Sequence, residues 1–441
     1  GRDNRGCTTI AHVEAGRPPP LFIPGENVKR IVVVGGGPAG LMAAIAAASA
    51  GASVLLIEGI SRLGNKLRLT GGGHGNVTHV GSVSDHLARI PRHGSFARNA
   101  LEALDAAALR ALFQDWGVPT ASDEQGRVFP VSRNAHQVAA ALRSRCLTLG
   151  VSFRLASPVE HIIVRNDAVV GVHVAEHEIN ATAVVLATGG TSYPETGSDG
   201  SGYRLAAELG HHLVALQPGL VAFRTPEGEV DRLQGISLQD VAVSLTQGGR
   251  IRGRCRGDLL FTQRGISGPA AHNLSLMADP TAADGLLAVH WLATTHLGPD
   301  EVRLIVARQP QRAWHALVFP GMPPRLERYI AGRLGLGLGT PWRALDPSGR
   351  AAALRLAETL AFRVVGTTPL ERAMVTLGGL SVDEFDPATM GSRLVRGLYA
   401  AGEILDVTGE SGGYNLQLVF STGFLAGRSA AEYAMTCETN P

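Results

Sequence analysis

Apolar positions near the start of the chain follow the periods of two strands and a helix. Residues 30–34 and 53–58 are short, nearly continuous apolar runs, and 41–50 is a run of small and apolar residues that Gly51 ends. Short continuous apolar runs are typical of strands buried on both faces, and a glycine just past a periodic run is typical of a helix end. The pattern predicts a strand, a helix and a second strand, which together form a βαβ unit.

The same stretch carries no charge from Ile31 to Ile57, which is long enough to cross a bilayer. Three consecutive glycines and a proline interrupt it, and Ala and Gly dominate its middle. A strand, a turn, a helix and a second strand account for this composition better than one spanning helix. We therefore expect no membrane partner.

The rest of the chain divides into segments with different hydrophobic patterns. Helical patterns occur around 99–116 and 134–149, and strand-like runs follow at 151–155, 161–164, 168–174 and 184–187. From about residue 210 short alternating strands and turns take over, and 299–358 has helical spacing broken by prolines. A strand at 397–401 and a helix at 415–434 close the chain.

This order predicts an α/β fold in which the first and last thirds of the chain form one split domain. We expect a tail or linker over 1–28, the first part of the split domain over 29–209, an inserted domain over 210–365 and the second part over 366–441.

The charge balance and the cysteine and histidine spacings limit the classes of partner, location and metal site that we expect. Lys plus Arg number 40 against 38 for Asp plus Glu, so no overall field favours nucleic acid, and we expect a small-molecule substrate and no nucleic-acid partner. The four cysteines are far apart and form no CxxC pair, which favours a reduced, cytoplasmic location. The 15 histidines show no metal-ligand spacing, so we expect no metal. The oligomeric state is left open.

The turn between the first strand and the helix satisfies the pattern Gly-x-Gly-x-x-Gly. Gly35 permits a tight turn, Gly37 lets backbone N–H groups approach a pyrophosphate, and Gly40 lets the helix and strand pack closely. Glu58 ends the second strand, where a carboxylate accepts from a ribose hydroxyl. The pattern predicts dinucleotide contacts from Gly35, Gly37, Pro38, Ala39, Gly40 and Glu58.

Segments near the end of the chain favour FAD over NAD. The strand at 398–401 is followed by Gly402 and Glu403, which suit a ribityl or pyrophosphate group at a strand's carboxyl end. Gly413, Asn415 and Leu416 open the last helix, whose positive end can stabilise charge near N1 and the C2 carbonyl of a reduced flavin. The alternative is an ordinary glycine-capped helix start.

Two further glycine-rich segments are candidates for cofactor contact. Gly72, Gly73 and Asn76 belong to a segment with four glycines in six positions, which suits backbone lying against a flat ligand. Gly189 follows the strand at 184–187, in a second loop suited to pass near the cofactor. For the first segment the alternative is a surface loop.

Six motifs in order resemble a flavoprotein family that includes aminoacetone-oxidase-like enzymes and a 3-dehydro-bile-acid reductase. The resemblance covers roughly residues 29 to 434, and the motifs are VVVGGGPAGLMAAIAAA, GNKLRLTGGGHGNVTH, GRVFPVS, VVLATGGTSYPETGSDGSGY, LLFTQRGISGPA and GLYAAGEILDVTGESGGYNLQ. It implies a split Rossmann-like FAD-binding domain with an inserted small β-barrel and helices. The implied FAD contacts are Gly35, Gly37, Gly40, Glu58, Lys66, Gly73, Asn76, Gly402, Glu403, Asn415 and Leu416.

The chain departs from the family in loops expected on the substrate side. His74 and Gly75 stand where relatives often have Arg and Cys, Asn65 replaces a frequent Arg, and Gln263 stands where His is common. The resemblance is therefore only weak evidence for the substrate. Arg264 is a candidate substrate anchor, whereas the alternating arginines from 250 to 256 are interpreted as a solvated strand face.

The main functional hypothesis is an FAD-dependent oxidoreductase that transfers a hydride between flavin N5 and a small organic substrate. We favour an NAD(P)H-linked reductase. Since only one dinucleotide fingerprint is present, NAD(P)H would have to bind transiently or be absent. Alternatives are an oxygen-using amine or alcohol oxidase, a flavin-bearing binding or regulatory protein without turnover, and a plain NAD-dependent dehydrogenase. No residue is assigned as a catalytic acid or base, and the direction of hydride flow is open.

Overall fold

The first elements of the fold are β1 (Arg30–Val34), α1 (Pro38–Ser49) and β2 (Ser53–Ile57). They come from a computed structural model, which describes residues 29–279, 282 and 284–437, so the tail expected over 1–28 lies outside the described residues. Helix α1 begins at Pro38, three residues before the predicted start, because proline fits the first position of a helix. Its residues from 39 to 47 are all buried.

The remaining strands, in chain order, are β3 (Thr78–His79), β4 (Thr120–Ser122), β5 (Arg127–Pro130), β6 (Ser152–Arg154), β7 (His161–Arg165), β8 (Ala168–Val174), β9 (His177–Asn180), β10 (Ala183–Leu186), β11 (Leu213–Gly219), β12 (Phe223–Arg224), β13 (Ser237–Gln247), β14 (Arg250–Thr262), β15 (Gly265–Ser267), β16 (Gly285–Val289), β17 (Leu360–Val364), β18 (Gly366–Thr367), β19 (Val375–Leu380), β20 (Phe385–Asp386), β21 (Gly391–Ser392) and β22 (Leu398–Ala400).

The remaining helices are α2 (Val83–Leu87), α3 (Gly94–Ala103), α4 (Ala106–Asp115), α5 (Ala135–Thr148), α6 (Ser201–Glu208), α7 (Pro269–Ser275), α8 (Trp291–Thr294), α9 (Pro299–Arg308), α10 (Trp314–Val318), α11 (Pro324–Leu334), α12 (Pro347–Glu358) and α13 (Tyr414–Thr436). A 3-10 segment runs over Lys66–Gly73.

A mixed seven-stranded sheet unites the two ends of the chain. Its order is β20-β21-β22-β10-β1-β2-β6, and the five strands from β22 to β6 are parallel. Strand β10 comes from the first part predicted for the split domain and β22 from the second part, yet they are neighbours. The sheet therefore has the Rossmann-like parallel core that the sequence predicts.

Helix α13 packs against α1 at very short range. A Cβ atom added to Gly423 would lie 2.4 Å from the carbonyl oxygen of Ala39, and one added to Gly427 would lie 2.1 Å from that of Ala43. Only small residues allow backbones to approach this closely. The last helix therefore belongs to the core of the sheet that the first residues build.

A second seven-stranded sheet, antiparallel throughout, occupies the middle of the chain. Its order is β17-β16-β13-β14-β15-β12-β18. Residues 360–367 pair with β16 at one end and with β12 at the other, so this segment closes the sheet on itself, as in a small barrel. The helices from α8 to α12 pack on it in a separate hydrophobic core that includes Phe261, Trp314 and Phe362.

The chain enters and leaves this second core side by side, because β11 and β19 pair as an antiparallel ribbon. The division into domains at residues 210 and 365 stays a prediction. In the described ranges no helix combines the length and the apolar content that crossing a membrane requires.

The helical stretch predicted around 99–116 is divided between α3 and α4. The Asp105 carboxylate accepts a 2.7 Å hydrogen bond from the Ala108 amide and caps α4. A carboxylate at this position satisfies a backbone donor that a continuous helix would have paired internally.

Candidate functional site

A cleft opens at the carboxyl ends of the parallel strands β1, β10 and β22. Its volume is about 1100 Å³ when the open mouth is included. Of the sixteen predicted cofactor contacts, those that line it are Gly35, Gly37, Pro38, Ala39, Glu58, Lys66, Gly189, Gly402, Glu403, Asn415 and Leu416. Those outside its lining are Gly40, Gly72, Gly73, Asn76 and Gly413. Lining does not establish binding, so all sixteen stay predictions.

The start of α1 faces this cleft with unpaired backbone donors. No side chain caps the helix, and its first-turn N–H groups have no partner within the helix. A Cβ added to Gly37 would meet nothing within 4 Å, whereas one added to Gly40 would lie 1.9 Å from the Gly35 carbonyl oxygen. Gly37 thus leaves room for a ligand, and Gly40 serves the packing of helix on strand. The positive helix end suits a pyrophosphate.

Glu58 closes the turn from the other side. Its Oε2 accepts from the Gly36 amide at 2.6 Å and its Oε1 from the Ile60 amide at 3.1 Å. Burial raises the pKa of Glu58, and the two backbone hydrogen bonds oppose that rise. Each carboxylate oxygen keeps a second lone pair, which can accept from a ribose hydroxyl.

Lys66 and Glu403, which both line the cleft, form an ion pair. The Lys66 ammonium lies 2.7 Å from Glu403 Oε2 and 2.9 Å from Oε1, and it also donates to the Ser192 hydroxyl at 2.6 Å. Glu403 accepts in addition from the Thr376 amide at 2.9 Å. The four residues come from four separate parts of the chain, so this network fixes the cleft's walls relative to one another.

The loop before α13 is held from two sides. Asn415 Nδ2 donates to the Gly409 carbonyl at 2.7 Å, and its Oδ1 accepts from the Gly409 amide at 2.9 Å. Asn273, on α7, accepts from the amide and the hydroxyl of Ser411, both at 2.9 Å. The side chain of Asn415 is therefore occupied within the loop, and the groups that α13 offers to the cleft are its first backbone N–H donors.

The glycine-rich segment bends beside the cleft. Gly71 and Gly72 adopt positive φ angles of 57° and 64°, which glycine favours. Asn76 Oδ1 is buried without a hydrogen-bond partner, and a Cβ added to Gly413 would lie 2.9 Å from it. Asn76 and Gly413 are thus neighbours, and Thr70 is the member of the segment from 70 to 76 that lines the cleft.

Several lining residues were not among the sequence-based candidates. Met374, Val375, Val407 and Thr408 contribute apolar and hydroxyl surface. Met374 and Val375, at the start of β19, lie outside the six motifs, whereas Val407 and Thr408 lie inside the last of them. Thr188 also lines the cleft, and its buried hydroxyl has no hydrogen-bond partner among the described residues. Its position just after the end of strand β10, at the carboxyl edge of the sheet, could have identified Thr188 as a candidate from the sequence.

The candidate substrate anchor and the arginine row lie elsewhere. Arg264 is exposed and does not line the cleft. Tyr414, the first residue of α13, is also outside the lining, and its ring stacks on His79 with centroids 4.8 Å apart and meets His86 edge-on. In the β14 arginine row, Arg252 pairs with Asp279 and Arg256 with Asp240.

The sequence-family model of the HI0933-like protein Rossmann domain matches residues 29–429 of this chain. The chain belongs to this family. It is 29% identical over 412 residues to the 3-dehydro-bile acid delta(4,6)-reductase of Clostridium scindens, covering 92% of this chain and 100% of that protein. It is 28% identical over 401 residues to the ribosomal RNA dihydrouridine synthase of Escherichia coli, covering 89% and 96%.

Solved structures share the fold of this HI0933-like chain. The 3-ketosteroid delta1-dehydrogenase of Sterolibacterium denitrificans has a TM-score of 0.50 at 14% identity, over 92% of this chain and 100% of that one. The quinol fumarate reductase of E. coli has a TM-score of 0.50 at 17% identity, over 94% and 71%. The predicted resemblance, the Rossmann-like FAD-binding fold and the class of FAD-dependent oxidoreductase are confirmed.

The cleft fits FAD by its own geometry. Open space at Gly37 beside free helix donors suits the pyrophosphate, and the Glu58 carboxylate suits the adenosine ribose. The start of α13 lies along the same cleft, where its donors suit the polar edge of the flavin.

Proposed function

We propose that this protein reduces a carbon–carbon double bond conjugated to a carbonyl group, with NAD(P)H as the electron donor and FAD as the carrier. In balanced form, NAD(P)H, one proton and the alkene give NAD(P)⁺ and the saturated carbonyl compound. The observation that carries the proposal is the cleft at the carboxyl edge of the parallel sheet, in a chain similar to two differently named reductive enzymes.

Those two names describe one type of chemistry. A delta(4,6) 3-oxo steroid and a uracil ring both present an alkene conjugated to a carbonyl, and both names describe addition of hydrogen across such a bond. FAD held in the cleft, once reduced by NAD(P)H, would supply a hydride from N5. An alkene polarised by a carbonyl accepts a hydride at its β carbon and a proton at its α carbon.

The chain's own residues bind and orient the reactants. The donors of α1 and the carboxylate of Glu58 hold the cofactor's nucleotide end, and the Lys66–Glu403 pair keeps the cleft walls in register. Fixed geometry of this kind lowers the entropy lost on reaching the transition state. We assign no residue as the proton donor.

An anaerobic flavin titration tests the proposal. The FAD-loaded protein is mixed with NADH or NADPH, and the flavin absorbance is followed before and after addition of a conjugated enone. Loss of the oxidised flavin band with a pyridine nucleotide, and its return with the enone, is the expected result. Bleaching by amines or alcohols instead, with recovery only in oxygen, points to an oxidase. If no donor bleaches the flavin, the remaining hypothesis is a flavin-bearing binding protein without turnover.

A uracil base in RNA is the second candidate substrate. Two curated relatives carry the name ribosomal RNA dihydrouridine synthase, and residues 210–365 contain seventeen arginines against twelve acidic residues. This candidate runs against the expectation of no nucleic-acid partner, which was based on the charge of the whole chain. A local excess of positive charge is enough to attract a phosphate backbone.

Mass spectrometry of RNA distinguishes the two candidates. Ribosomal RNA treated with the protein, FAD and NAD(P)H gains two hydrogens at one uridine if RNA is the substrate. Treated RNA without that gain, alongside turnover of a small enone, favours the small-molecule substrate.

A further inference from the structure

A second cavity shares Arg62 with the cofactor cleft. Its volume is about 800 Å³ including its mouth. Two more arginines line it, Arg68 from the 3-10 segment and Arg143 from α5, and none of the described residues that line it is acidic. Much of the remaining wall is apolar, with Leu63, Ala139 and Leu155. We call this cavity the arginine pocket.

The positive charge of the arginine pocket is not balanced by carboxylates. In the part of the chain that the structure describes, no ion pair joins Arg62, Arg68 or Arg143 to an acidic residue. Arg68 donates to two neutral acceptors, the Leu63 carbonyl at 2.9 Å and Asn65 Oδ1 at 3.1 Å. Burial and the charge of Arg62 lower the pKa of Arg68. Like charges gathered without an acid favour a bound anion.

The apolar wall narrows the class of anion. Leu155 is 38% exposed and lines the pocket beside the guanidinium groups. A free inorganic anion gains nothing from such a surface, whereas a nucleotide covers it with its base and ribose. Guanidinium groups match phosphate oxygens with two parallel hydrogen bonds. The pocket therefore suits a phosphate that is attached to an adenosine.

We propose that the arginine pocket binds the 2′-phosphate and adenosine of NADPH. The proposal rests on the proposed function, in which a pyridine nucleotide reduces the flavin, and it specifies which nucleotide. Only one dinucleotide fingerprint is present, and its Glu58 carboxylate, which faces the cofactor cleft, would repel a 2′-phosphate there. A separate site for the donor follows, and Arg62 places it next to the FAD cleft.

Donor preference is the kinetic test. Arg143→Gln and Arg68→Gln each remove one guanidinium, and each is expected to lower the preference for NADPH over NADH, measured as the ratio of kcat/KM values, by about tenfold or more. Arg98→Gln is the matched control, because it removes the same charge from the surface helix α3, and it should leave the ratio within about twofold. An unchanged ratio in both pocket variants would overturn the proposal.

Direct binding separates this proposal from the proposed function. Adenosine 2′,5′-bisphosphate, adenosine 5′-monophosphate and inorganic phosphate are titrated calorimetrically into the FAD-loaded protein. Tight binding of the bisphosphate alone, weakened in Arg143→Gln, supports the assignment of the arginine pocket. This conclusion holds even if no pyridine nucleotide bleaches the flavin, because a failure to bleach contradicts only the proposed function. Binding of inorganic phosphate as tight as that of the bisphosphate, or no binding of the bisphosphate, refutes it. Equal unfolding temperatures show that the variants are folded.

Discussion

The Lys66 ammonium and the Glu403 carboxylate, 337 residues apart in the chain, lie 2.7 Å apart across the cofactor cleft. Their side chains are only 20% and 19% exposed. A pair so shielded from water interacts more strongly than a surface pair, but each partner also depends more on the other. The contact joins the segment after β2 to the segment after β22.

Glu403→Ala is expected to destabilise the protein. The change leaves the Lys66 ammonium and the Thr376 amide without their carboxylate acceptor, and loss of hydrogen bonds to a charged group costs about 1.5–3 kcal/mol. Urea unfolding of the apoprotein measures the difference in free energy.

A double-mutant cycle provides the control for this prediction. Lys66→Met combined with Glu403→Ala should cost less than the sum of these two single changes, because neither charge is left alone. Additive losses would show that the two side chains do not stabilise each other.

Gly37→Ala and Gly40→Ala form a matched pair with opposite expected results. The added methyl at position 37 meets no protein atom within 4 Å, whereas at position 40 it overlaps the Gly35 carbonyl oxygen. Gly40→Ala should therefore lower the unfolding temperature of the apoprotein by several degrees, since each kcal/mol shifts it by roughly 2–4 °C in a domain of this size.

Gly37→Ala should fold normally and bind FAD more weakly, because the methyl occupies space beside the pyrophosphate site. Fluorescence titration with FAD and thermal unfolding without it separate the two effects. Normal FAD affinity in a folded Gly37→Ala protein would contradict the assignment of the pyrophosphate to the start of α1.

The βαβ unit was predictable because its signals are local. Continuous apolar runs gave β1 and β2 within one residue of their ends, and Pro38 marks the start of α1. The break at Asp105 had a local signal as well, an acidic residue before a run of alanines, which the helical spacing of the wider segment obscured.

The cleft's walls could not be read from local patterns. Asn415 stands at a position that resembles a flavin contact, but its amide is occupied by the Gly409 backbone. The partners of Lys66 come from residues 192 and 403, and no periodicity connects such distant positions. Tertiary packing alone decides which of these polar groups meet.

Asn273→Ala is expected to loosen the loop from 409 to 413. The amide oxygen accepts two hydrogen bonds from Ser411, and removing an acceptor of this kind costs about 1–3 kcal/mol. Amide hydrogen exchange of the peptide that contains this loop should become faster.

Ser411→Ala is the matched control for Asn273→Ala, because it removes the hydroxyl donor but keeps the backbone hydrogen bond. Its exchange should change less. Equal protection of the loop in the wild type and Asn273→Ala would show that α7 does not hold it.

We expect the folded protein to lose stability in mild acid because of the buried side chain of His272. Burial lowers the pKa of His272 to about 4 from its usual 6.5, and its Nε2 lies 3.0 Å from the Ser267 hydroxyl. The unfolded chain binds a proton near pH 6.5 but the folded protein does not until about pH 4, so protonation favours unfolding between these values. The contribution of neutral His272 to the free energy of unfolding is fully present above pH 6.5. The free energy of unfolding falls by up to roughly 3 kcal/mol as the pH drops towards 4.

Urea unfolding at a series of pH values checks this prediction, with His272→Gln as the comparison. Glutamine can keep a contact with the Ser267 hydroxyl but does not titrate. The variant should therefore show a smaller decline of unfolding free energy between pH 6.5 and 4 than the wild type, because other groups still titrate in that interval. Parallel declines in the two proteins would place the acid sensitivity on other groups.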